Sequence, residues 1–415
     1  MKIDALIHDT VSCLTKTAIG KNGLIRKLYF IDTGKWYEFY KPDDFGDHTP
    51  FITAALGSPE FAKQQYSLWE KRSIDGIPIP KHRIPLAPLL EAKNVDDLLH
   101  GLYVNYTTTK DDFFLKEGVQ LSRKAVKAFK MKNGAFSSVS IPFLHLKLPE
   151  GCSALKPAIL FAPASNLKYY SEACSNGLIS EKLVFFGELA GDKDLIAAAK
   201  GCIDAWLETK MFRKYGVFPD MAFPKDSTGS SLMKTNTNMG YALLKLKETN
   251  YKSALDKLLS SIEKIYDEKT GIVNAFNPAT GKKGEPTLIP VQAYGTLLLM
   301  AGRKEKAANL AQKTITLARE NGTLESVDDD GFGDFCVFLM RVDEGHNWKG
   351  LLEGMYKEFV DMYYAGKGMW KDHRSGKIAH SKYLGGVLKY LLAYKAYLSN
   401  DTRMFTDHLP LLEDR

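Results

Sequence analysis

Apolar residues recur at helical spacing from the beginning of the chain. Ile3, Leu6, Ile7, Val11 and Leu14 stripe residues 3–18, and Gly20 and Gly23 end the run. Residues 24–40 change character, with Tyr29, Phe30, Ile31, Trp36, Tyr37, Phe39 and Tyr40 crowding an extended stretch. Thr49 then stands as an N-cap before Pro50, and Ser58-Pro59-Glu60 repeats the start signal for a helix running to about Arg72. Prolines 78, 80, 85 and 88 predict a loop without regular structure over 73–93. Helices are expected over 95–105 and 120–131, and strands over 137–148 and 158–161.

From about Ile179 the pattern becomes periodic. Helix pairs are expected at 179–190 and 193–211, 237–248 and 251–266, 287–302 and 304–320, and 333–343 and 348–364. Each pair ends at a glycine followed by a short extended piece, at Gly216, Gly271, Gly322 and Gly368, a spacing near that of one supersecondary unit repeated. A final apolar helix covers 378–398. Within a pair the two helices differ. Residues 294–301 are apolar nearly all round, which requires burial on every side, whereas 304–319 carry one apolar stripe, as a surface helix does.

Alternating buried and half-exposed helices imply two concentric rings, with the unpaired first helix closing against the last. These glycine-punctuated hairpins with short β excursions resemble the (α/α) toroid superfamily of glycan-processing enzymes, the six-hairpin type, over most of the chain. The resemblance rests on architecture. It implies a mainly α fold, an (α/α)6 or (α/α)7 toroid spanning residues 1–415 as a single domain. The 73–178 stretch is an insertion with loop and short strands, and counting it or not decides between six hairpins and seven.

Composition narrows the class further. The 415 residues are 45% hydrophobic and 25% charged, which is ordinary for a globular protein. No run approaches 18 apolar residues, so no membrane span is expected. Five cysteines with no C-x-x-C pair, and an N-terminus broken by Asp4, His8 and Asp9, point to free thiols, no secretory signal and a cytoplasmic location. The net charge of +7 is dispersed rather than blocked, so nucleic acid is not an expected partner and a saccharide, neutral or anionic, is. Phosphate-loop, dinucleotide, zincin and nucleophile-elbow motifs are all missing, so no cofactor and no metal is expected.

Two acidic, glycine-loosened stretches enter apolar helices, P-D-D-F-G-D-H-T-P at 42–50 and V-D-D-D-G-F-G-D at 327–334. In a toroid the connecting excursions gather on one face, which places Asp43, Asp44, Asp47, Asp220, Asp328, Asp329, Asp330 and Asp334 around one opening. Paired carboxylates are what glycoside hydrolysis uses; the bland alternative is that each Asp caps a helix. The leading expectation is a glycoside hydrolase with Asp47 and Asp334 as the pair and Asp44 and Asp330 in reserve. D-D-x-x-D at 43–47 also matches a magnesium-diphosphate motif, but Pro42, Gly46 and Pro50 interrupt the continuous helix that motif requires. Trp36, Tyr40 and Trp370 are candidates to stack on sugar rings, the two tryptophans being expected at exposed loops, and Asp220, His373, Arg374 and His380 complete the candidate binding set. A uronate lyase or sugar epimerase on the same fold would use Tyr40, His373 or His380 as base and Arg374 against the carboxylate. A non-catalytic helical-repeat binding protein is the reading from another class.

Overall fold

The computed structural model describes residues 2–78, 90–141, 146–147, 172–220, 231–265, 275–284, 288–320, 330–371 and 376–401. Its helices are α1 Ile3–Ser12, α2 Phe45–Leu56, α3 Glu60–Glu70, α4 Ala92–Thr109, α5 Asp112–Phe129, α6 Ala173–Ala190, α7 Lys193–Leu207 and α8 Lys210–Tyr215. They continue with α9 Met233–Lys245, α10 Thr249–Ile265, α11 Leu288–Met300, α12 Lys304–Glu320, α13 Asp330–Val342, α14 Lys349–Tyr363 and α15 Ser381–Leu398.

Seven of these, α2, α4, α6, α9, α11, α13 and α15, contact one another in a closed circuit that returns from α15 to α2. The helices between them in sequence lie outside, and α1 packs on α15. The fold is therefore an (α/α) toroid, with seven inner helices among the described residues. The 73–178 stretch supplies α4 and α5, a full inner–outer hairpin of the ring, which is why the count reaches seven.

Burial follows the same division. In α6 every residue from Ser175 to Gly187 is buried, while in α10 only the stripe Tyr251, Ala254, Leu255, Leu258, Leu259 and Ile262 is. A buried asparagine recurs at the fourth position of two inner helices. The side-chain oxygen of Asn176 accepts from Phe136 N at 2.8 Å and that of Asn236 from Phe218 N at 2.8 Å. Each asparagine also donates to the carbonyl four residues back, at 2.8 and 2.7 Å, so one device ties two successive excursions to the helices they enter.

The ends of the chain are sewn together. Strand Leu28–Phe30 pairs antiparallel with Lys35–Tyr37 on one side and Ile378–His380 on the other. Trp370 Nε1 donates to Thr10 Oγ1 at 3.0 Å, and Tyr364 donates to Asp9 at 2.9 Å.

Several expectations need correction. The Thr49-Pro50 start signal is overridden: α2 begins at Phe45 after a 3-10 turn at Pro42–Asp44, Pro50 lies inside it, and Thr49 donates its hydroxyl to Phe45 O at 2.8 Å. Asp43, Asp44 and Asp47 thus run through a continuous helical entrance, not an interrupted one. The 73–93 loop holds a short strand pair, Ser73–Ile74 with Ile77–Pro78. The helix expected over 193–211 is split, because Thr209 caps a new helix by accepting from Phe212 N. Residues 378–380 are strand rather than helix. The strand expected at 158–161 lies outside the described residues.

Candidate active site

Each inner helix is followed by its return helix, so the inner helices run the same way through the ring and their starts lie at one end of it. There a cleft open to solvent, with a cavity volume of about 100 Å³, is lined by Asp47 and Phe51 of α2, His100 of α4 and Gly333 and Asp334 of α13. Lys382, Tyr383, Gly386, Val387, Lys389 and Tyr390 of α15 form its long wall, with Phe359 of α14 behind them.

Asp47 and Asp334, nearly three hundred positions apart in sequence, therefore share one cleft. Their side chains are 29% and 28% accessible, enough to meet a ligand. Each faces a lysine of α15. Lys382 Nζ stands 3.2 Å from Asp47 Oδ2, and Lys389 pairs with Asp334 while lying 5.8 Å from the Phe51 ring centre. Lysines at 382 and 389 fall seven residues apart, about 10 Å along the helix axis and on one face of it.

A second layer of charge backs the first. On α4, Lys93 Nζ lies 3.2 Å from Asp96 Oδ1 and 2.7 Å from Asp97 Oδ2, the (i, i+3) and (i, i+4) positions of a helix. Burial raises the Asp47 carboxyl above its ordinary value, against the pull of Lys382 and with the help of Asp97. Burial raises Asp96 to about 8, with Lys93 opposing and Asp97 adding to the rise. Burial also pushes on Asp97, but Lys93 and Lys382 outweigh it and hold that carboxyl below its usual range. Neighbouring carboxyls thus differ in proton affinity because they differ in cations.

The other expected residues fall elsewhere. Asp44 is buried and paired with Lys27 at 2.7 Å, in the wall rather than the cleft. Asp220 accepts from Thr235 at 2.9 Å, and burial raises its carboxyl, but it does not line the cleft. Trp370 was expected at the surface and is fully buried, stacked on Phe359 at 5.4 Å and 27°. Tyr40 is also fully buried and donates to Glu38, and that burial raises its phenol, so it is no accessible base. Trp36 is half-buried, 5.2 Å from the Tyr29 ring and off the cleft. His380 precedes α15, and burial with Lys27 and Lys382 lowers it to about 3; burial and Lys27 lower His48 likewise to about 3. Both imidazoles are neutral and poorly basic near neutrality. His373, Arg374, Asp328 and Asp329 lie outside the described residues, as does the side chain of Asp330.

Sequence reasoning passed over Lys93, Asp97, His100, Lys389 and Gly386. A signal existed: Lys382, Gly386 and Lys389 fall at positions i, i+4 and i+7 of a mostly apolar helix, and a charge on a buried helix asks for a partner.

No family model matches the chain, and no curated protein is similar to it in sequence at a significant level. Solved structures do resemble it. A cellobiose 2-epimerase from Bacillus thermoamylovorans superposes with a TM-score of 0.58 at 10% identity, covering 95% of this chain and 98% of that one. A sugar epimerase from a ruminal bacterium gives 0.55 at 13%, covering 77% and 87%. An α-mannanase from Bacteroides thetaiotaomicron gives 0.52 at 11%, covering 96% and 97%. At these identities the likeness is one of fold.

Proposed function

We propose that the chain is a carbohydrate-active enzyme, a glycoside hydrolase whose acid is Asp47 and whose base is Asp334. The observation that carries this reading is that these two partly exposed carboxylates line one cleft. Burial favours the protonated form of Asp47, which suits it to donate to the glycosidic oxygen as the bond to the anomeric carbon breaks. Lys382, 3.2 Å away, stabilises the carboxylate left behind. Asp334 takes a proton from the water that adds to the anomeric carbon from the other face. Two hydroxyl groups result, with the proton moved from Asp47 to the leaving sugar and another gained by Asp334. Inversion needs roughly 6.5–9.5 Å between the two carboxylates and a covalent intermediate only about 5 Å, so the stereochemistry of the product reports their separation. We place the enzyme in the cytoplasm, since Cys13, Cys174, Cys202 and Cys336 are all unpaired.

A second reading, sugar epimerisation or isomerisation, is favoured by His100, Lys382 and Tyr383 lining the same cleft, groups able to move a proton at a carbon next to a carbonyl. An activity screen on neutral and uronate-containing oligosaccharides separates the two by whether product mass is split or conserved. Under the hydrolase reading Asp47→Asn and Asp334→Asn each lose about 10²- to 10⁴-fold in turnover. Unchanged turnover in both variants removes the assignment.

A further inference from the structure

Glycine brings three inner helices together at Asp47. A Cβ on Gly385 of α15 would run into the Asp47 carbonyl, and one on Gly46 of α2 would stand 2.5 Å from the carbonyl of Asp97 on α4. Helix α2 is therefore held backbone to backbone between α15 and α4, and the charged side chains at the starts of all three share one small space. Their signs alternate. Lys382 Nζ lies 3.2 Å from Asp47 Oδ2, and Lys93 Nζ lies 2.7 and 2.8 Å from the two Asp97 oxygens and 3.2 Å from Asp96 Oδ1. Lys382 feels Asp97 as well as Asp47, which completes the row Asp47, Lys382, Asp97, Lys93, Asp96.

Three carboxyls thus share two ammonium groups, and their surroundings decide which is ionised. Asp96 is fully buried and raised to about 8, so it is mostly protonated at neutrality. Burial works against ionised Asp97 too, but Lys93 and Lys382 overcome it. Asp97 is then the carboxylate set between the two lysines. Of the other groups near Asp47, Asp44 in the turn before α2 is taken by Lys27 at 2.7 Å, and burial keeps His48 and His380 neutral. Asp334 is paired with Lys389, and His100 of α4 lines the same cleft. An acid needs its proton before the reaction begins, and an ammonium 3.2 Å away pulls towards the ionised form. Without Asp97, Lys382 and Lys93 would both act on Asp47 unopposed.

We propose that Asp97 is a positioning residue for the acid of the reaction above: its carboxylate holds the Lys382 ammonium between two carboxyls, so that Asp47 keeps its proton until the glycosidic oxygen takes it. The proposal rests on the hydrolase reading, and a readout besides turnover tests it. The full chain is prepared with aspartate carrying carbon-13 at the side-chain carboxyl, and the Asp47 signal is assigned by its loss in Asp47→Asn. Its titration midpoint is then followed by NMR in the wild type, in Asp97→Asn, and in Asp97→Asn combined with Lys93→Met. The amide keeps the shape of Asp97 and removes its charge, so the Asp47 midpoint is expected to fall by about one pH unit or more. Asp97→Ser removes the same charge with less bulk and takes its place should the amide variant not fold. Replacing Lys93 as well removes an equal and opposite charge, and the midpoint is expected to recover most of the fall. On an accepted glycoside the alkaline limb of kcat/KM is expected to move down in pH with the midpoint, while kcat/KM on the acid side of that limb stays close to wild type. An Asp47 midpoint that does not move, no recovery in the double variant, or a loss of kcat/KM equal at every pH overturns it. Failure of the hydrolase reading alone looks different: Asp47→Asn turns over normally while the Asp47 midpoint still falls in Asp97→Asn.

Discussion

Asp96 shows what a single buried carboxyl does to the whole protein's response to pH. It is fully buried, and its surroundings raise it to about 8, far above the ordinary carboxyl value near 3.9. A group raised on folding binds its proton more tightly in the native state, so its contribution is present below pH ~4 and drains away as pH rises towards 8. Asp96→Asn is neutral throughout. The variant is expected to lose much of the wild type's fall in melting temperature between pH 5 and pH 8, and an unaltered slope in thermal melts would show that Asp96 is ionised in the fold. Asp47 and Asp334 were legible in the sequence because acidic residues cluster at the starts of apolar helices. Lys93, Asp97 and Lys389 were not, because a charge announces that it needs a partner without saying which.

At the scale of elements, the inner helices approach one another through glycine. Gly385 and Gly386 are adjacent on α15 and face opposite circumstances. A Cβ at 385 would stand 2.1 Å from Asp47 O and 2.9 Å from His48 Cα, backbone of α2 that cannot turn aside, while at 386 it would meet open space. Gly385→Ala is therefore expected to destabilise by about 1–3 kcal/mol or more, as overpacking does. Gly386→Ala is expected to stabilise by roughly 0.5–1 kcal/mol, the ordinary gain of alanine in a helix. Denaturant melts of the two variants should move in opposite directions; a shared direction would mean α2 and α15 are not held this close. Helix starts teach a related lesson. Thr49-Pro50 reads as a beginning, yet Phe45 and Gly46 pack against α4, where a Cβ on Gly101 would lie 2.5 Å from Phe45 Cδ1, and that packing extends the helix a turn back through Pro50.

At the scale of the molecule, the ring depends on α1. Leu6, Ile7, Val11 and Leu14 are buried at the seam where the chain's two ends meet. At about 1.5–3 kcal/mol for each such side chain removed from water, the four together rival the roughly 5–15 kcal/mol that holds a protein folded. Deleting residues 1–17 is expected to abolish a single cooperative melting transition and any binding at the cleft, even though Asp47, Asp334 and Lys382 all remain. A deletion variant that melts within a few degrees of the full chain would mean the inner helices close unaided.

The periodicity of apolar positions, the glycine punctuation and the contrast between all-round and one-sided helices were enough to determine a double ring of hairpins, because burial on every side or on one leaves its mark in local sequence. Which residues at its mouth face one another was settled by closure. Whether Trp370 lies in the core or at the surface, whether Asp44 meets Lys27 or solvent, and where Lys382 finds Asp47 depend on how inner helices stack across glycine contacts. Such pairings join positions hundreds of residues apart, and only the folded chain brings them within reach.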